Sequence, residues 1–145
     1  MLDALIRLDP AGKLYYETRF QAFQTQMFAL DKEMTAAVQK LPAEHRTFIV
    51  FHPSFGYLAR DYGLTQMAVE IEGKEPKPQD LNQLVKVAKA HHIHVIFVQP
   101  QFSKRSAESL ANELNAVVVS TDPLAYDFDT NLKAFAAALL KAAAK

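Results

Sequence analysis

Between residues 11 and 41, Phe20, Phe23, Met27, Leu30, Met34, Val38 and Leu41 recur every three or four positions, with no proline and a single glycine, Gly12, near the entry. That spacing predicts one long amphipathic helix. Asp9 suits its N-cap and Pro10 its first turn, while Leu41-Pro42 ends it. Some 30 residues at about 1.5 Å each make a rod of about 45 Å, longer than the ~30 Å width of a small domain. Part of its apolar stripe therefore needs a second body to cover it.

Beyond residue 42 the pattern changes to short apolar, β-branched runs alternating with helical periodicity. Strands are expected at 47–51, 66–71, 94–99 and 116–120, and helices at 54–62, 79–90, 104–115 and 130–144. Gly63 reads as the residue that ends the first of these helices, Ser103 as the cap of the third and Asp129 as the cap of the last. Strict strand–helix alternation implies an α/β fold. The expectation is a four-stranded parallel sheet, ordered 2-1-3-4, with helices on both faces and one long connecting helix before it. The domain division that follows is 1–42 for the long helix and 43–145 for the α/β lobe.

Composition narrows the partners. The 145 residues are half hydrophobic, and sixteen basic and sixteen acidic residues cancel. No Lys/Arg cluster is interleaved with aromatics, so nothing in the chain suggests nucleic acid or an anionic membrane. The absence of cysteine removes disulfides, thiolate zinc sites and a cysteine nucleophile. No apolar run approaches the ~20 residues that cross a bilayer. The N-terminus also lacks the regions of a secretory signal peptide, so export of the chain as it stands is not expected.

In a parallel sheet every strand ends at the same edge, where open α/β sheets bind their ligands. The expected strands carry His52, Glu70 or Glu72, Gln99 and Asp122 to that rim. An imidazole with a carboxylate is a good partial shell for Zn²⁺, or for Mn²⁺ with more oxygen donors. Each residue also has a plainer reading. His52 could cap or pack, and Asp122, in STDPL, fits an Asp-Pro or Asx turn equally well. Glu70 and Glu72 are poorer ligands, since acidic residues at a strand end are usually solvated. His91, His92 and His94 fall at a helix-to-strand turn on the opposite rim, where the helix dipole favours histidine, and are read as solvated, as is His45. Phe55, Tyr57 and Tyr62 are read as packing in the core or around the rim.

Catalysis has little support: the chain has no Gly-rich phosphate loop, GxSxG elbow or HExxH helix. A hydrolytic metal site needs three protein ligands and an open position, more than the two identifiable here. Two other classes stand as alternatives to a metal-binding lobe. One is a small flavodoxin-like α/β enzyme or signalling domain using Asp122 for Mg²⁺ or phosphate. The other is a structural module that pairs through the long helix.

The segment FHPSFGYLARDYGL from Phe51 to Leu64 resembles a motif of the metal-specific solute receptors of bacterial ABC transporters, the zinc and manganese receptors of cluster A-I. LDPAGKLYY near the start, the Glu75-Pro76 pair followed by DLNQLVKVAKAHHIHVIFVQPQFS, and VVVSTDPLAYDFDTNLKAF continue the likeness in order and spacing. Together they resemble the second half of such a receptor, its connecting helix and C-terminal lobe, without the N-terminal lobe that supplies the other ligands. The resemblance implies a receptor rather than an enzyme, with His52 and Asp122 as metal ligands. It also implies delivery to the membrane permease of an ABC importer, and a periplasmic or cell-surface location for the full-length protein. Receptors with histidine at the His52 position resemble zinc receptors, and those with a carboxylate there more often resemble manganese receptors. Zinc is therefore expected ahead of manganese. Self-pairing of the long helix into a homodimer is a further expectation, because its N-terminal stripe would otherwise stay exposed.

Overall fold

The computed structural model describes residues 1–70, 76–102 and 104–144. The chain divides into two compact units, Met1–Glu33 and Met34–Lys145. A short helix, α1 (Leu2–Leu8), precedes a 3-10 turn at Pro10–Gly12 and the long helix α2 (Lys13–Gln39), within which the division falls. Asp9 and Pro10 start the 3-10 turn that leads into α2 rather than α2 itself, Asp9 accepting from the Gly12 amide at 3.2 Å. A Cβ on Gly12 would stand 2.5 Å from Asp9 Oδ2 and 2.7 Å from the Tyr16 ring, so a larger residue there would displace the Asp9 and Tyr16 side chains. At 27 residues α2 is about 40 Å long. Phe20 and Phe23 on its first half stay 42% and 50% exposed, whereas Met34, Val38 and Leu41 of the second unit are buried. The α1 helix, which is not among the elements expected from the sequence, has Leu2, Leu5 and Ile6 at helical spacing but no buried residue.

The second unit alternates β1 (Thr47–Val50), α3 (Gly56–Tyr62), β2 (Thr65–Ala68), α4 (Pro78–Ala90), β3 (Val95–Val98), α5 (Lys104–Leu114), β4 (Val117–Ser120) and α6 (Phe128–Ala143). The strands form one sheet in the order β2-β1-β3-β4, with every pair parallel. This is the expected α/β architecture. All four residues of β3 are buried, as a central strand covered on both faces requires. Side chains alternate between two cores. Ile49, Ile96 and Val98 pack with Val85 and Ala88 of α4 and Ala107 and Leu110 of α5. Phe48 and Phe97 face the other way onto Phe135 of α6, whose ring lies 5.2 Å and 4.2 Å from theirs, and Phe55 stacks on Phe135 at 5.3 Å.

Helix ends follow local hydrogen bonding. Gly63 ends α3 in the left-handed region at φ 68°. Asp80 accepts the Lys77 amide at the start of α4. The α3 helix begins two residues later than expected; ahead of it the Ser54 amide donates to His52 O at 2.8 Å and the Phe55 amide to Gln66 Oε1 at 2.7 Å. The cap of α6 is Asp127 rather than Asp129: Asp127 Oδ1 accepts from the Thr130 amide at 3.2 Å. Asp129 sits inside the first turn, where its charge meets the helix dipole and Lys133 at 2.9 Å. The expected cap at Ser103 lies outside the described residues. No helix among the described residues is long and apolar enough to cross a membrane.

Candidate metal centre

His52 follows β1 by two residues and Asp122 follows β4 by two, so the parallel sheet brings both to its carboxyl edge. The chain leaves β1 through Phe51, whose amide still bonds Phe97 O at 3.0 Å. Beyond that point the backbone of β3 no longer supplies partners, and the Gln99 side chain takes over. Gln99 is 1% exposed. Its Oε1 accepts the His52 amide at 3.2 Å, while its Nε2 donates to His52 O at 2.6 Å and to Ser54 Oγ at 2.9 Å. A buried amide thus completes the ladder that the strand abandons.

Asp122 is held by a similar device from α6. Asn131 Oδ1 accepts the Asp122 amide at 3.1 Å, and Asn131 Nδ2 donates to Asp122 O at 3.0 Å. The Asp122 carboxylate accepts the Leu124 amide at 3.0 Å, the Asx turn expected of an Asp-Pro sequence. Turn and ligand readings are therefore compatible, because a carboxylate has acceptor sites to spare.

Glu70 differs from expectation. It is not solvated: its side chain is 8% exposed, and Oε1 lies 2.8 Å from His52 Nδ1. The cause is register, since β1 pairs β2 with Val50 opposite Ala68 and the ladder continues through Glu70 N to Phe51 O at 3.1 Å. The alternative carboxylate, Glu72, lies outside the described residues. The His52 ring also stacks on Phe102 at 5.6 Å with an interplanar angle of 18°. Neither Phe102 nor Asn131 carries a sequence signal of its role, because each partner is reached only through the folded sheet.

The other histidines gather at the amino edge. His91 caps the end of α4, and His92 adopts the left-handed region at φ 50°. Both are exposed, as expected. His94 is not solvated: it is half-buried beside the His45 ring at 6.3 Å, and its Nδ1 has no hydrogen-bond partner. The packing of β3 against α6 draws it inward, over a cavity of about 10 Å³ that His45 and Leu139 also line. Among the described residues no three His, Asp or Glu side chains lie close enough together to hold an ion. Of the aromatics, Phe55 is in the core, but Tyr57 is 79% exposed with the Arg60 guanidinium 5.0 Å over its ring.

Comparison with known proteins agrees with the fold. The family profile described as ZnuA, zinc-uptake complex component A, periplasmic, matches residues 1–142. The high-affinity zinc uptake system protein ZnuA of Bacillus subtilis is 34% identical over 114 residues, covering 77% of this chain and 35% of that protein. The iron-binding protein YfeA of Yersinia pestis is 28% identical over 115 residues, covering 78% of this chain and 37% of that one. A crystal structure of ZnuA superposes with a TM-score of 0.91 at 42% identity, covering 97% of this chain and 53% of that one. The chain thus spans between about a third and about half of these relatives' length. With the profile running through nearly every residue and the fold superposing over nearly its whole length, the chain belongs to the ZnuA family of zinc-uptake components.

Proposed function

We propose that this chain acts as the C-terminal lobe and connecting helix of a metal receptor, with Zn²⁺ as its cargo and His52 and Asp122 as its ligands. Residues 1–42 would serve as the connector and 43–145 as the lobe. The observation that carries the reading is the preparation of His52: backbone clamped by Gln99, ring stacked on Phe102 and Nδ1 occupied by Glu70, which leaves Nε2 for a metal. Asp122 at the end of β4 supplies a hard oxygen donor on the same edge. Zinc relatives such as the Bacillus subtilis protein support zinc, although the Yersinia pestis relative is described as iron-binding. Manganese is the alternative, requiring additional oxygen ligands. The reading includes delivery to the permease of an ABC importer and a periplasmic or cell-surface location.

Two protein ligands are half of a closed zinc shell, so binding to this chain is weaker than a four-ligand site would give, with water completing the shell. Competition against a zinc-responsive dye, in wild type and in His52→Ala, tests the assignment. The variant should lose most of the affinity, and equal binding by both would remove His52 from the site. We also propose that two copies pair through the first half of α2, where Phe20 and Phe23 are half exposed. Light scattering at tens of micromolar should show a dimer that weakens when both are changed to Ser. A monomer at high concentration would contradict the pairing.

A further inference from the structure

We propose that Glu70 is a positioning residue that sets the tautomer of His52 and so decides which ring nitrogen meets the metal. The proposal rests on the reading of His52 as a ligand.

A carboxylate side chain only 8% exposed at the end of an edge strand needs a reason, because burying a charge is costly unless it is paired or hydrogen-bonded. The partner is His52 Nδ1 at 2.8 Å. An ionised carboxylate can only accept, so the bond puts a proton on Nδ1, and in the neutral ring Nε2 then holds the lone pair. A free imidazole prefers the opposite arrangement, with its proton on Nε2, which would block a metal there. Glu70 therefore reverses the intrinsic preference at this ring before any ion arrives. The arrangement does not depend on a loose side chain, since the Val69 and Glu70 amides continue the ladder to Val50 O and Phe51 O at 2.9 Å and 3.1 Å. The Phe102 stack fixes the ring plane while Glu70 fixes its rotation within that plane. Once a cation binds Nε2, the negative charge on the far side of the ring strengthens the imidazole as a donor.

The test combines a measurement without metal and one with it. In the metal-free protein, ring ¹⁵N shifts of His52 near neutral pH should show the proton on Nδ1 in wild type. Glu70→Gln can still accept through its amide oxygen, so it should keep most of that signature with a modest loss of zinc affinity. Glu70→Ala should lose the signature and weaken zinc by about 10- to 100-fold. An amide fingerprint spectrum confirms that each variant is folded, and the wild-type tautomer, read without any substitution, keeps the proposal falsifiable if the Ala variant is not. A wild-type ring protonated on Nε2, or undiminished zinc affinity in Glu70→Ala, would overturn the proposal. Zinc binding that survives His52→Ala would overturn the ligand assignment and the positioning role with it. That failure is distinguishable, because the metal-free tautomer would still be read directly.

Discussion

Replacing Gln99 with leucine removes the amide that holds His52 while keeping a side chain of similar size in a position only 1% exposed. Three hydrogen bonds are lost, to His52 N, His52 O and Ser54 Oγ. A neutral hydrogen bond contributes about 1 kcal/mol net. The 3.2 Å bond is the weakest of the three, and the partly buried His52 peptide recovers some water after the change. The expected loss is about 2–3 kcal/mol, a large part of a typical domain's stability. With a urea dependence of about 2 kcal/mol per molar, the unfolding midpoint should fall by about 1 M. Zinc affinity should also fall, by roughly tenfold or about 1.4 kcal/mol, because the His52 peptide is no longer held in place. Urea titration followed by circular dichroism, with dye competition for zinc, measures both. A midpoint shift below about 0.2 M, corresponding to under about 0.5 kcal/mol, would show that Gln99 fills space rather than clamps the rim.

Phe135→Ala should be the most destabilising of the core truncations, by about 3–5 kcal/mol, since it empties the space between Phe48, Phe97 and Phe55; thermal or urea unfolding reads this. Asp127→Ala should cost about 1 kcal/mol in the same assay and more than Asp129→Ala, and the reverse ranking would return the cap to Asp129. Tyr16 should titrate above the ordinary tyrosine range, because its hydroxyl donates to Asp9, 3.0 Å away, and the carboxylate opposes its ionisation. Its contribution to stability is thus complete below the ordinary phenol range and is lost as pH rises through the raised value. Ultraviolet titration of wild type and Asp9→Asn should show the phenol moving down in the variant.

The sheet was legible because its central strands are short continuous apolar runs bounded by turn residues, and alternation with helices leaves few parallel topologies. Helix ends were less so: whether Asp127 or Asp129 caps α6 depends on one turn of backbone geometry that either residue could satisfy. His52, Gln99 and Asp122 could be placed at one edge because strand ends in a parallel sheet converge there. What Gln99, Glu70 and Asn131 do at that edge was not legible. Their partners lie on other strands or another helix, and a one-residue change of register would have sent Glu70 to solvent. The His45–His94 contact leaves no mark in the sequence for the same reason, since it joins two segments far apart in the chain.

Anomalous diffraction at the zinc edge, from crystals of this protein grown with zinc, tests the central claim most directly. The account predicts a peak about 2.0–2.2 Å from both His52 Nε2 and an Asp122 carboxylate oxygen, with Glu70 still on Nδ1. A principal peak at the amino edge between His45 and His94, with none at the carboxyl edge, would contradict it.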